Sequence, residues 1–362
     1  MSNPKISVIT PMYNCEHYII DCIRSVVTQK FGEFEHIIVD DASTDRSAEV
    51  VEKLIAALEE KTGDTRFKLL RHEKNMGQGA AIKTGLAITR GKYIRILHAD
   101  DVFMPNALDS LFKIAEEYNA DVVHECSRFI SLENGGEKIA PGCKLTIDVC
   151  DMRPVDKITL MSNDPNDRVS DWLERGTHVD IMYNLFRRDF WFANGSRFKQ
   201  VGNNFLFAFC WLISAKTFVK VPKATYIYRA GNPMSITNKK RPVEKIADTI
   251  NAMFRTVDFL DEFMSTIDFF DDKKYLRELI KIQAMSTIDM YSINRHGFYR
   301  EKMTPELYDV VERAMKKHFG ESGWLAAYYF HIAHEAHHRR KLEDEKLFRD
   351  QTSARYLVYP TI

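Results

Sequence analysis

The sequence predicts an α/β fold: a doubly wound, mostly parallel sheet followed by an α-helical C-terminal extension. Three observations predict it. Segments of strand length alternate with helix-period segments through the first 126 residues, and that order builds a parallel sheet covered by helices on both faces. Residues 127–240 are irregular, with aromatic residues dense from Tyr183 to Trp211. From about residue 241 apolar residues recur at three- and four-residue spacing almost to the end. The chain is therefore divided at 1–126, 127–240 and 241–362.

Each element has its own signal. "KISVITP" is a β-branched run of strand length, and "EHYIIDCIRSVVTQ" places Ile19, Ile23 and Val26 on one helical face. "FEHIIVDD" is a second strand. "STDRSAEVVEKLIAALEE" follows as a helix, with Ser43 or Thr44 expected as its N-cap. "FKLLRH" is a third strand, "GQGAAIKTGLAITRG" a helix opened by glycines and closed by Gly91, and "KYIRIL" a fourth strand. Pro105 starts a helix with Leu108, Leu111, Phe112 and Ala115 on one face, and "ADVVHEC" is a fifth strand.

Composition bounds the function. The 362 residues carry 51 Lys plus Arg and 51 Asp plus Glu, so no basic excess supports nucleic-acid binding. The start "MSNPKISVIT" lacks a charged and apolar leader, and no run of about 18 apolar residues appears. Six cysteines (15, 22, 126, 143, 150 and 210) form no C-x-x-C pair. A cytoplasmic protein with reduced thiols is expected.

The chemistry gathers at strand ends, which lie on one rim of a parallel sheet, where ligands bind. Asp40 and Asp41 end the second strand; Asp100 and Asp101 follow the fourth. Neighbouring carboxylates call for a divalent cation, a nucleoside hydroxyl or a base N–H group. Between them lies "NMGQGAAIKTG", whose glycines offer backbone N–H groups at a helix start, suited to an anion.

The ordered set "ISVITPMYN", "IIVDDASTD", "NMGQGAAIKTG", "RGKYIRILHADDVFMP", "YNLFRRDF" and "YIYRAGNPMSIT" resembles family 2 glycosyltransferases. The resemblance covers residues 5–118 and, less closely, 181–237. It implies a GT-A fold with a nucleotide-sugar-binding half at 1–126 and an acceptor half at 127–240. It implies a nucleotide-sugar donor, UDP-linked in the first instance, with Mg²⁺ or Mn²⁺. The acceptor would be a hydroxyl of a saccharide or a lipid-linked molecule, the stereochemistry inverting, and the setting cell-surface polysaccharide or glycoconjugate synthesis. Carried over by position, Pro11 and Tyr13 line the nucleobase and Asp41 bonds it, with Asp40 beside it. Gly79 and Lys83 belong to the phosphate loop. Asp100 meets the ribose and Asp101 ligates the metal, or the two exchange roles. Arg229 reaches the donor from a closing loop.

Three departures stand out. His98-Ala99-Asp100-Asp101 occupies the place of Asp-x-Asp-Asp, and Ile82-Lys83 that of Arg-Asn. Asn203-Asn204 falls where inverting members carry the acidic general base, and an amide cannot do that work near neutral pH. Asp180 and Glu125 are the nearest candidate carboxylates. The alternative is a relative that binds nucleotide but is impaired in transfer. A remoter one is a zinc hydrolase, because His334-Glu335-Ala336-His337-His338 fits the H-E-x-x-H pattern. Trp324, Tyr328, Tyr329 and Phe330, followed by His and Arg residues, could rest on an anionic inner-membrane surface, although core packing is the commoner use. A homo-oligomer is left open.

Overall fold

A computed structural model describes residues 3–131, 144–151, 153–174, 177, 180–194, 204–230, 255 and 257–288, with positions 313, 320 and 357–358. The chain divides into two compact units. One comprises Met1–Gly202, Trp211–Asn232 and Tyr356–Ile362; the other comprises Asn203–Cys210 and Pro233–Arg355.

The first unit begins with the alternation expected from sequence: β1 (Ile6–Met12), α1 (Ile19–Val27), β2 (Phe34–Asp40), α2 (Ser47–Thr62), β3 (Phe67–Arg71), α3 (Gln78–Ala87) and β4 (Tyr93–Ile96). It continues with β5 (Val102–Phe103), α4 (Ala107–Glu117), β6 (Val122–Glu125), β7 (Ser127–Ser131), β8 (Lys144–Val149), β9 (Thr159–Leu160) and α5 (Pro165–Leu173). β10 (Asn184–Arg187), α6 (Arg188–Asn194), β11 (Phe218–Val221) and β12 (Tyr226–Arg229) follow, while α7 (Asn204–Ser214) has its residues up to Cys210 in the second unit and the rest in the first. An eight-stranded sheet has the order β3-β2-β1-β4-β10-β6-β11-β9. β3, β2, β1 and β4 are parallel; β10 runs antiparallel to both β4 and β6. A second sheet joins β8, β7, β12 and β5, with Leu357 and Val358 paired at its edge. Within the second unit, 257–264 and Lys274–Ile288 are helical, and Phe209 packs near Phe263 and Phe270 at ring distances of 6.1 and 6.3 Å.

β1 and β2 are buried along their whole length, the signature of strands covered on both faces. α1 adds Ile19, Cys22, Ile23 and Val26 to the core, and α4 adds Leu108, Leu111 and Ala115. Each such large apolar side chain contributes about 1.5–3 kcal/mol relative to exposure.

Two helix ends differ from the sequence reading. α2 starts at Ser47, and neither Ser43 nor Thr44 caps it. Asp45 Oδ1 accepts from the Ser47 N–H at 2.9 Å, while Ser43 Oγ accepts from the Asn14 N–H at 3.0 Å. The hydroxyls are drawn to the β1 loop, so the cap moves downstream. α3 ends at Ala87, and Gly91 serves a different purpose. A Cβ at Gly91 would lie 2.5 Å from the Ser7 backbone nitrogen, so only glycine lets the chain cross β1 there.

Candidate functional site

The carboxyl ends of β1, β2 and β4 form the rim on which the predicted residues converge. Asp41, just past β2, is fixed by α3. Its Oδ2 accepts from the Gly77 N–H at 2.7 Å, and its Oδ1 from the Met76 N–H at 2.8 Å. His72 Nδ1 lies 2.7 Å from Oδ1, and its other nitrogen 2.9 Å from Thr84 Oγ1. The sequence reading left these N–H groups free for a phosphate. The anion they hold is the protein's own Asp41, placed at a helix N-terminus where negative charge is favoured. Gly77 adopts φ 88° to aim them, and Ala42, next to Asp41, adopts φ 58°.

The remaining nucleobase-side residues separate. Tyr13 is 42% exposed at the rim, an accessible aromatic face. Pro11 is buried within β1 opposite Val39, which withdraws it from any ligand. Asp40 is fully buried; its Oδ1 accepts from the Ser43 N–H at 3.1 Å, and Arg71 approaches Oδ2 at 3.6 Å. Its ligand role is thereby corrected to closing the β2–α2 turn. Gly79 and Lys83 are exposed on α3.

His98, Asp100 and Asp101 follow β4, and each offers a ligand atom within 4.8 Å of the others. Asp101 is 1% exposed. Tyr226 donates its hydroxyl to Asp101 Oδ2 at 2.6 Å, and the Arg229 N–H donates to Oδ1 at 2.8 Å. Burial and the neighbouring Asp100 push the Asp101 carboxyl well above the usual carboxylate range. A cation there would relieve the like-charge repulsion, so the donor set fits Mg²⁺ or Mn²⁺. Asp100 is only partly buried and is the accessible carboxylate of the pair.

Arg229 departs most from its predicted role. Its side chain is buried: Nε donates to the Asp100 carbonyl at 2.7 Å, a terminal nitrogen lies 3.5 Å from Asp21, and the guanidinium stacks 4.9 Å from the Tyr18 ring centre. It is an anchor for the Asp100–Asp101 turn instead of a mobile donor contact.

The two base candidates also part. Glu125 is fully buried, paired with Arg95 and accepting from the Thr225 N–H at 2.5 Å. No face of it meets an acceptor, which removes the ground for expecting general-base work there. Asp180 is brought to the rim by β10. Because Leu185 pairs with Arg95 in antiparallel register, the residues before β10 extend past the carboxyl end of β4. Asp180 acts electrostatically on His98, as does Asp100, both opposing the burial that lowers the imidazole below its usual range. The Asn184 side-chain amide donates to the Asp180 carbonyl at 3.0 Å and steadies that approach. Asn203 and the His334–His338 cluster lie outside the described residues.

Sequence reasoning missed the supports: His72, Asp21 and Tyr226. Their partners are 31, 208 and 125 positions away, so spacing carries no trace of them. It also missed a buried network behind the rim. His124 lies between Asn184 (2.8 Å) and Asp151 (3.1 Å), and Lys220 reaches Asp151 at 3.3 Å and Asp171 at 3.1 Å. His124, Cys126 and Asp151 could geometrically hold a metal. The Lys220 ammonium already supplies the positive charge that Asp151 needs.

The mostly parallel sheet, with its carboxylates at the strand ends, defines a protein of the GT-A type fold class. The chain matches Glycosyl transferase family 2 over residues 7–218, more than half of its length. It belongs to that family. Streptococcus pneumoniae glycosyltransferase GlyG is 33% identical over 118 residues, covering 33% of this chain and 37% of GlyG. The match thus spans little more than a third of that relative's own length. An uncharacterized Haemophilus influenzae glycosyltransferase is 27% identical over 226 residues, covering 62% of this chain and 82% of its own. The crystal structure of S. aureus TarS 1–349 in complex with UDP-GlcNAc superposes with a TM-score of 0.62 at 17% identity, over 87% of this chain and 80% of TarS. That likeness speaks for the fold. Among the described residues no helix is long and apolar enough to cross a membrane.

Proposed function

We propose that the protein transfers a sugar from a nucleotide-sugar, UDP-linked in the first instance, to a hydroxyl of a saccharide or lipid-linked acceptor, with inversion. The observation that carries this reading is that the residues before β10 run past the carboxyl end of β4, where Asp180 and Asp100 both act electrostatically on His98. In this reading Asp180 is the carboxylate that serves the acceptor, since Asn203-Asn204 stands in the expected position. TarS, of the same fold, is described in complex with UDP-GlcNAc, which supports a uridine donor.

In this reading Tyr13 packs on the nucleobase, and Asp41 Oδ2, which accepts one internal hydrogen bond, takes a base N–H. A Mg²⁺ or Mn²⁺ held at the Asp100–Asp101 turn would neutralise charge on the diphosphate leaving group. Asp100, the more accessible carboxylate of the pair, would be the ion's principal ligand, with Asp101 held behind it by Tyr226 and Arg229. Asp180 removes the proton of the acceptor hydroxyl as that oxygen bonds to the anomeric carbon and the bond to the phosphate oxygen breaks. Polysaccharide or glycoconjugate synthesis is the proposed setting.

The test is UDP release from UDP-sugars with Mn²⁺, with and without saccharide acceptors, in wild type and Asp100→Asn. Turnover abolished in the variant is expected. Absence of any wild-type turnover, together with absence of UDP binding by calorimetry, overturns the reading.

A further inference from the structure

We propose that His98 is an imidazole ligand of the divalent cation, and that Gln78 selects the ring nitrogen that faces it. This rests on the metal reading above.

The backbone of His98 is fixed on two sides. Its N–H donates to Tyr226 at 3.2 Å, and its carbonyl accepts from the Asp101 N–H at 3.1 Å. The ring is thereby held at the rim, with 16% of the side chain exposed. Its two nitrogens have separate surroundings. Nδ1 faces the carboxylates, 3.9 Å from Asp101 Oδ2. That exceeds a hydrogen bond, and one ligand atom each of His98, Asp100 and Asp101 lies within 4.8 Å of the others, close enough for one ion to be shared by His98 and Asp100. Nε2 faces away, 2.7 Å from the Gln78 amide nitrogen on the first turn of α3.

The amide is the switch in this arrangement. With its NH₂ toward Nε2, the ring proton sits on Nδ1 and faces the carboxylates. Turned over, the amide presents Oε1, Nε2–H donates to it, and the Nδ1 lone pair is free for a metal. No bond is made or broken beyond exchange of the ring proton with water. An imidazole among carboxylates favours Mn²⁺ over Mg²⁺, which prefers oxygen ligands. The replacement of an acid by His98 thus becomes a change of metal preference instead of a loss.

The experiment uses the full chain with UDP and Mn²⁺ as the probe. Pulsed electron paramagnetic resonance is expected to show nitrogen coupling that changes on ¹⁵N-histidine labelling and vanishes in His98→Ala. Mn²⁺ affinity, read by titration, should fall about tenfold to a hundredfold in His98→Ala, and Mg²⁺ affinity much less. Gln78→Glu, which can only accept from Nε2–H, should tighten Mn²⁺ in the wild-type background and not in His98→Ala. Thermal melts and UDP binding establish that the variants fold. Mn²⁺ uptake that needs Asp100 but shows no histidine nitrogen, or a Gln78→Glu gain equal in both backgrounds, overturns this inference alone. No Mn²⁺ uptake by wild type overturns the metal reading with it.

Discussion

Tyr226 and Asp101 share a 2.6 Å hydrogen bond across 125 residues of sequence, and neither side chain is more than 1% exposed. The bond ties β12 of the second sheet to the turn after β4. Tyr226 also packs edge-on against Tyr183 and Phe103, at 5.3 and 6.0 Å between ring centres. Tyr226→Phe keeps those ring contacts and removes only the hydroxyl. It should cost about 1–3 kcal/mol, the range for leaving a buried hydrogen-bonding group without its partner. Urea unfolding checks this, and a loss below about 0.5 kcal/mol would contradict the structural role given to the bond.

Asp180 and Glu125 give opposite expectations. Asp180→Asn should lower transfer kcat by about 10²–10⁴ and leave UDP affinity and melting temperature nearly unchanged. Glu125→Gln should weaken the buried pairing with Arg95, destabilising the fold by up to about 3–5 kcal/mol. Steady-state kinetics beside calorimetric melting separates the two, and a wild-type rate in Asp180→Asn removes Asp180 as the base.

Folding stability should depend on pH through His36. The ring is fully buried in β2, against Thr10 and Phe67, and burial lowers it from 6.5 to about 3. The unfolded chain therefore binds the extra proton first. Stability is intact above about pH 6.5 and declines as pH falls toward 3, by up to about 1.4 kcal/mol per unit from this group. His36→Phe should flatten that decline between pH 6.5 and 5. Denaturant unfolding at both pH values measures it, and an unchanged slope would assign the acid sensitivity elsewhere.

Gly91→Ala should destabilise by at least about 1–3 kcal/mol, because its methyl group would meet the β1 backbone at 2.5 Å. Gly32→Ala is the control, with nothing within 4 Å of the added carbon. Comparable melting temperatures for the two variants would refute the close crossing.

The parallel half of the sheet was legible because its strands are buried runs between amphipathic helices, and each signal lies within one short window. Asp41 and Asp100 were legible as strand-end carboxylates for the same reason. The second sheet was not: β5 has two residues, and β7 and β12 meet across about a hundred residues of chain. Asp40 and Asp41 look alike in sequence, yet successive strand residues point to opposite faces, and only one reaches α3. Arg229 was misplaced because the sequence shows the Gly/Pro loop after it and hides Asp21 and Tyr18 beneath it.

β10 has a consequence for the order in which the chain can assemble. Among the described residues it is the strand that joins β4 to β6, so until Asn184–Arg187 is synthesised the edges of β4 and β6 that it will pair have no partner strand. Such an edge recruits other chains as readily as its own missing strand. Nascent or truncated protein ending before Asn184 is therefore the aggregation-prone species, and insertion of that one short antiparallel strand is the event that closes it.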